Sequence, residues 1–348
     1  MDQRVAIGIF GDKVATDLLQ VTHDSKDLDL GGWWAVTQTF EGSFTAFKFG
    51  TISPVKDFDF GFREFNPVNL ASWRPSMDQT DYENAVKSIQ DDISKGWVYQ
   101  VNLCYVLSNE LEKAFDPIAL YFELKKHNPA PYLSALYVPK HQSGLSDDVA
   151  ITSASPELFI SRKFNEIKSS PIKGTAITEG QLLEKDRAEN VMIVDLIRND
   201  LSRVAIDGSV NVPELLRVEP HPGLVHLVSD VRGTVDSQVS WQQILDAMSP
   251  PGSVSGAPKS SALEVISRLE PVPRQIYCGA FGFIDVNNNE AVLAVGIRTF
   301  WQTTSHGKKY LNFGTGAGIT WGSSPELEWQ ETQLKTRNLL KVAATNVE

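Results

Sequence analysis

Strand-like and helix-like segments follow one another along this 348-residue chain in no regular order, and that mixed order is the strongest constraint on its fold. Up to about residue 75, aromatic and small residues alternate in Val5–Phe10, Trp33–Val36 and Phe44–Phe49, between turns rich in Gly, Asp and Ser. Period-two alternation suits antiparallel strands with one face on a core. The period then lengthens. Thr80-Asp81-Tyr82-Glu83 has the form of a capping box, and Ala85, Val86, Ile89 and Ile93 recur at helical spacing until Lys95-Gly96. Strands are predicted at Trp97–Leu103, Tyr132–Val138, Val149–Ile160, Leu215–Val218, Val225–Val231, Gly279–Asp285, Ala291–Trp301 and Tyr310–Phe313. Helices are predicted at Pro117–His127, Glu184–Val204, Trp241–Met248, Ser260–Leu269 and Glu326–Ala344. Regular β-α-β alternation is missing, which favours an α+β fold. No repeat, low-complexity tract or linker divides the chain, so residues 1–75 read as a short β-rich part of one compact unit with residues 76–348.

Charge narrows the function classes. The formal net charge of −11 leaves no basic field to attract nucleic acid or an anionic membrane surface. A small anionic substrate needs only a local cationic pocket and stays permitted. Cys104 and Cys278 lie far apart in apolar surroundings and read as buried thiols rather than a disulfide or metal site. The apolar run Val5–Phe10 is too short for a signal peptide, and no run reaches the roughly 18 apolar residues of a membrane span. A cytoplasmic protein is expected.

Several residues carry chemistry. Lys173, between Pro171-Ile172 and Gly174-Thr175, is expected on a tight turn, because proline fixes φ and glycine permits a bend. An amine projected from such a turn into a cleft becomes a nucleophile when desolvation lowers its pKa. Asp186 and Glu189 share a helix face at i,i+3, and Glu328 and Glu331 repeat the spacing. If those faces converge they suit Mg²⁺, which takes one or two carboxylates and keeps waters; solvated helix faces are the plainer explanation. Lys335, four residues beyond Glu331, suits a helical ion pair equally well. Gly314-Thr315-Gly316-Ala317-Gly318 is expected as a loop, either a plain connection or a row of N–H groups for an anion. Gly256-Ala257-Pro258-Lys259 opens a helix, and a helix start favours an anion. Arg298 is a charge in an apolar strand, which is costly unless a carboxylate or an anionic ligand faces it. His226 and Ser229 sit in another apolar strand.

Taken together, residues 80–345 resemble the chorismate-utilising enzymes, the group with anthranilate synthase, aminodeoxychorismate synthase and isochorismate or salicylate synthases. The resemblance is carried by Ser155-Pro156-Glu157, Pro171-Ile172-Lys173-Gly174-Thr175, Lys185-Asp186-Arg187-Ala188-Glu189-Asn190 and Val194 to Leu201. It continues through His226-Leu227-Val228-Ser229, Ser255 to Lys259, Ile297-Arg298-Thr299, Gly316 to Ile319, and Ser324-Pro325-Glu326 with Glu328, Glu331 and Lys335. The resemblance implies two large antiparallel β-sheets packed face to face with helices outside, and it makes 76–348 the chorismate-binding catalytic region. Mg²⁺ is implied on Glu189 and Glu331, with Asp186 and Glu328 in support. Substrate contacts are implied for Thr175, Tyr277, Arg298, Gly316, Ala317, Gly318 and Lys335. Glu157 is implied as general acid, with His226 and Ser253 beside the reacting ring.

Within the family, hydroxylating members have a water-activating lysine where this chain has Gln100, and glutamine has no titratable amine. Amination is favoured. Anthranilate synthases typically have alanine in place of Lys173, whereas the lysine form resembles aminodeoxychorismate synthase component I and implies a covalent lysine adduct of chorismate. The chain departs from family patterns at three points. Its N-terminal part is short and lacks the Leu-Leu-Glu-Ser tryptophan-binding signature, and Asp186 replaces a common glutamate. Neither cysteine sits in a glutaminase context, so ammonia is expected from a separate glutamine amidotransferase subunit or from solution. Release of 4-aminobenzoate would need a separate lyase. An anthranilate synthase large subunit is the alternative.

Overall fold

The computed structural model describes residues 4–176, 178–182, 184–221 and 224–344. Its strands form one hydrogen-bonded, antiparallel network of two runs that meet at the hairpin of Ile7–Phe10 with Lys13–Thr22. One run passes from Ile7–Phe10 through Tyr132–Val138, Val149–Ser155, Thr299–Ser305 and Lys308–Ile319 to Gln100–Glu110. The other passes from Lys13–Thr22 through Phe44–Pro54, Trp33–Gln38, Ala280–Asp285, Glu290–Val295, Leu158–Lys163 and Glu166–Ser170 to Leu224–Thr234. The N-terminal strands thus belong to both runs. Between the inner faces lies an aromatic core: Phe10 meets Phe281 edge-on at 5.3 Å, and Trp33 stacks on Phe283 at 5.3 Å. Such ring pairs contribute about 0.5–1.5 kcal/mol each beyond the area they bury.

Two outer helices matter most. Glu184–Ser202 packs on Leu224–Thr234 and Ile172–Ala176. Its fully buried Asn190 donates to Leu227 O at 3.1 Å and accepts from Ser229 Oγ at 2.5 Å, which fixes the helix rotation. Pro325–Ala344 packs on Lys308–Ile319 and on Gln79–Ser94, with Trp329 stacked on Tyr105 at 5.2 Å.

Pro117–His127, Trp241–Met248 and Tyr132–Val138 have the limits expected from sequence. Elsewhere the structure differs, for local reasons. The Gln79–Ser94 helix is capped by Asp78, which accepts from Asp81 N at 2.9 Å, so Thr80 lies inside the helix. The expected Val149–Ile160 strand breaks at Pro156-Glu157, because proline has no N–H for the ladder. Ala291–Trp301 breaks at Gly296–Arg298, where Arg298 takes a left-handed φ of 53°. The strand expected from Trp97 begins only at Gln100 and runs on to Glu110.

Two corrections concern the site. Lys173 is not on a turn but on a short strand, Ile172–Ala176, with a register shift between Ile172 and Thr175. Gly174 supplies the shift at φ 87°, a conformation costly for a residue with a Cβ. The Gly314–Gly318 segment is likewise not a loop. It completes the Lys308–Ile319 strand and pairs along its length with Gln100–Glu110. Glycine within a strand marks a close approach by a neighbour.

Candidate active site

Lys173 points toward the ends of two strands from the opposite run. A Cβ placed on Gly318 would lie 2.6 Å from Gln100 Nε2 and 3.6 Å from Lys173 Nζ. The missing side chain therefore opens the space in which the amine and the amide meet. Gln100 is almost fully buried and donates to Glu189 Oε2 at 3.1 Å. Gly318→Ala should lower kcat/KM on the order of tenfold, about 1.4 kcal/mol. Stability should change by less than about 1 kcal/mol, because the clash is with the far end of a side chain rather than backbone. Steady-state rates and urea unfolding read the two effects separately.

Four charged groups act on Lys173. Glu189 from one helix, Glu331 and Lys335 from another, and Glu157 from the strand break all influence its ammonium. Lys173 retains some solvent access, yet desolvation outweighs the carboxylates and lowers its pKa, with Lys335 pushing the same way. Lys335 Nζ bridges Glu331 Oε1 at 2.6 Å and Gly316 O at 3.0 Å, so the helical ion pair expected from sequence is present.

Glu157 is buried, at 4% exposure. Desolvation pushes its carboxyl up to about 7, against the opposing pull of the Ser253 hydroxyl, Lys173 and the Ile172 N–H. Strand pairing fixes its backbone: Val295 N donates to Glu157 O at 3.0 Å, and Ser155 Oγ donates to Val295 O at 2.7 Å. Arg298 joins the same break, its carbonyl accepting from Ala154 N at 3.0 Å. No carboxylate among the described residues forms an ion pair with Arg298, and burial alone lowers its pKa.

The remaining candidates distribute around this centre. Buried His226 lies opposite Thr175 in the strand register; the Thr175 side chain is outside the described residues. Ser253 is buried in a short turn, Gly252–Val254. Ala317 and Gly316 are buried in their strand, and the Tyr277 ring sits over Gly314 on the same strand face as Gly316 and Gly318. Tyr277 OH lies 3.8 Å from Cys104 Sγ, and burial holds the phenol well above its ordinary pKa. Cys104 and Cys278, both buried, meet there.

The four acids expected at a metal do not form one cluster, and among the described residues no group of three or more His, Cys, Asp or Glu could hold a metal ion. Asp186 packs under Gly174, where an added Cβ would lie 2.8 Å from its own Cβ. Glu328 is buried toward Tyr82. Glu189 and Glu331 both act on Lys173. Two carboxylates with water in the other positions are a fitting donor set for Mg²⁺.

Residues 63–341 match the family model described as chorismate binding enzyme. The chain belongs to the chorismate binding enzyme family. It is 36% identical over 293 residues to anthranilate synthase component 1 of Saccharolobus solfataricus, a match covering 80% of this chain and 66% of that protein. It is also 36% identical over 295 residues to aminodeoxychorismate synthase component 1 of Escherichia coli, covering 80% of this chain and 62% of that protein. The chain thus spans somewhat under two thirds of the length of these relatives. In fold it is similar to a 2,3-dihydroxybenzoate-specific isochorismate synthase from Bacillus anthracis, with a TM-score of 0.79 over 99% of this chain and 98% of that one, at 21% identity. No helix of the described residues of this chorismate binding enzyme is long and apolar enough to cross a membrane.

Sequence reasoning gave no role to three features: Gln100 as a ligand of Glu189, Asn190 as the pin of its helix, and the pairing of Lys259 with Asp200. The first two follow residues already singled out. The third engages the Lys259 ammonium at the start of its helix.

Proposed function

We propose that this chain is component I of an aminodeoxychorismate synthase, converting chorismate and ammonia to 4-amino-4-deoxychorismate. The observation that carries this reading is an amine and a carboxyl acid facing one pocket, each shifted toward its neutral form: Lys173 downward, Glu157 up to about 7. A neutral amine is a nucleophile, and a neutral carboxyl is a proton donor. Lys173 attacks C2 of chorismate; both ring double bonds shift around the ring, and the C4 hydroxyl leaves as water with a proton from Glu157. Ammonia then attacks C4, both double bonds shift back, and the lysine amine departs. Arg298, Tyr277, Lys335 and the backbone of Gly316 to Gly318 hold the enolpyruvyl carboxylate, with Thr175, His226 and Ser253 beside the ring. A guanidinium fork suits a carboxylate better than an ammonium does.

Glu189 and Glu331 would hold Mg²⁺, which when bound supplies positive charge for the ring carboxylate. Chelation should abolish turnover and added Mg²⁺ restore it. Glu331→Gln should weaken Mg²⁺ binding, read by calorimetry without substrate, by at least about tenfold. Ammonia comes from a separate glutamine amidotransferase. Supporting this, Cys104 and Cys278 are both buried, away from any glutamine that could approach from solvent. Release of 4-aminobenzoate falls to a separate lyase.

Product identity is the test. The purified chain is incubated with chorismate, Mg²⁺ and an ammonium salt, and products are resolved by liquid chromatography and mass. Aminodeoxychorismate supports the reading. Anthranilate with pyruvate overturns it in favour of the activity named for the Saccharolobus solfataricus relative.

A further inference from the structure

Glu157 lines a cavity of about 10 Å³ together with, among others, Ser169, Ile197, Asp200, Met248 and Ser253. Such a space holds one water molecule at most. Asp200, on the cavity wall, is bonded to Lys259 Nζ at 2.5 Å. The same ammonium donates to Pro250 O at 3.0 Å and to Met248 O at 3.4 Å. Lys259 opens the Lys259–Leu269 helix, and Met248 ends the Trp241–Met248 helix. One side chain therefore ties together both ends of the segment that carries Ser253 and pins it to the Glu184–Ser202 helix. Gly252, beside Ser253, packs so closely on that helix that a Cβ there would lie 2.8 Å from Leu196 Cδ2.

We propose that Lys259 and Asp200 are positioning residues: by fixing this segment they hold Ser253 beside Glu157, with which it lines the cavity. A buried ion pair is a poor way to gain stability, because desolvation cancels most of the attraction. Asp200 feels that cost, since burial raises its pKa against the pull of Lys259. What such a pair does provide is fixed geometry. Charged and titratable groups acting on Glu157 include Lys173 and Tyr132 from the Tyr132–Val138 strand, and Asp200, paired with Lys259, lines the same cavity. Burial pushes Tyr132 up to about 12, and burial lowers the Lys173 ammonium from its ordinary value.

The inference rests on Glu157 as proton donor only for its effect on rate, and the test separates the two. In the full chain, the Glu157 carboxyl is titrated by infrared difference spectroscopy against Glu157→Gln, and kcat/KM is followed over the same pH range. Ser253→Ala should move the carboxyl titration up by about one pH unit, the loss of a hydrogen bond to the ionised form. Lys259→Met should move it the same way, the double variant no further than Ser253→Ala alone, and Lys259→Arg should restore it. Asp200→Asn, which spares the two carbonyl contacts of Lys259, gives a second reading if Lys259→Met fails to fold. Additive shifts, or an unmoved titration in folded Lys259→Met or Asp200→Asn, overturn the proposal. Infrared shifts without a matching shift in the rate profile uphold the positioning role and remove Glu157 as the proton donor.

Discussion

Lys173→Ala should slow formation of the aminated product by at least about 10³-fold, the loss of roughly 4 kcal/mol of transition-state stabilisation. Neither Gln100 nor Lys335 can supply the first displacement in its place. Gln100 has no titratable amine, and its amide is committed to Glu189 at 3.1 Å. Lys335, the other amine in the pocket, is tied to Glu331 and Gly316 O. Lys173→Arg should be equally slow, since a guanidinium stays protonated and cannot attack. The size of the fall depends on the amine being neutral, and the structure favours that form by desolvation and by the charge of Lys335. A second readout needs no turnover. With ammonia withheld, the native chain should gain the mass of chorismate less one water, and Lys173→Ala should not. Unchanged turnover to the same product in Lys173→Ala would remove the covalent step.

How much of this was legible in the sequence follows from the range of the interactions. Helix and strand limits set by local signals are readable, as in Pro117–His127, where Asp116 caps and the proline sits in the first turn. The conflict between Arg298 and its apolar neighbours is also readable, and the structure leaves it without a carboxylate partner among the described residues. What fails is anything decided by a distant partner. Glycines 314, 316 and 318 read as a loop because their flexibility is local, whereas the crowding by Tyr277, Cys104 and Gln100 that demands them is not. The Glu189–Gln100 bond spans 89 residues and the Lys259–Asp200 bond 59. Paired acids at i,i+3 suggest a metal cluster, yet burial sends Glu328 toward Tyr82 and Asp186 beneath Gly174. Spacing gives a shared helix face but not what that face meets.

Glu157→Gln should cut turnover by about 10²–10⁴-fold, the usual contribution of a general acid. At the same time it should make the protein more stable at alkaline pH, and the sign can be worked out. The folded carboxyl titrates near 7 against an ordinary value of 4.5, raised first by desolvation. Below about pH 4 the group is protonated in both folded and unfolded states and costs nothing. Between the two values only the unfolded chain has released the proton, so native stability falls steadily as pH rises. Above about 7 the whole penalty is present, on the order of 3 kcal/mol for a shift of this size. Glutamine carries no charge to desolvate and keeps an acceptor for Ser253 and the Ile172 N–H. Denaturant unfolding should therefore show the variant more stable near pH 9 and no different near pH 4. The native kcat/KM should decline above about pH 7 as the donor is lost, and the variant should lack that limb. If the carboxylate were a structural partner of Lys173, its removal would destabilise the fold at high pH instead. A buried acid kept at a cost to stability is one whose proton is used.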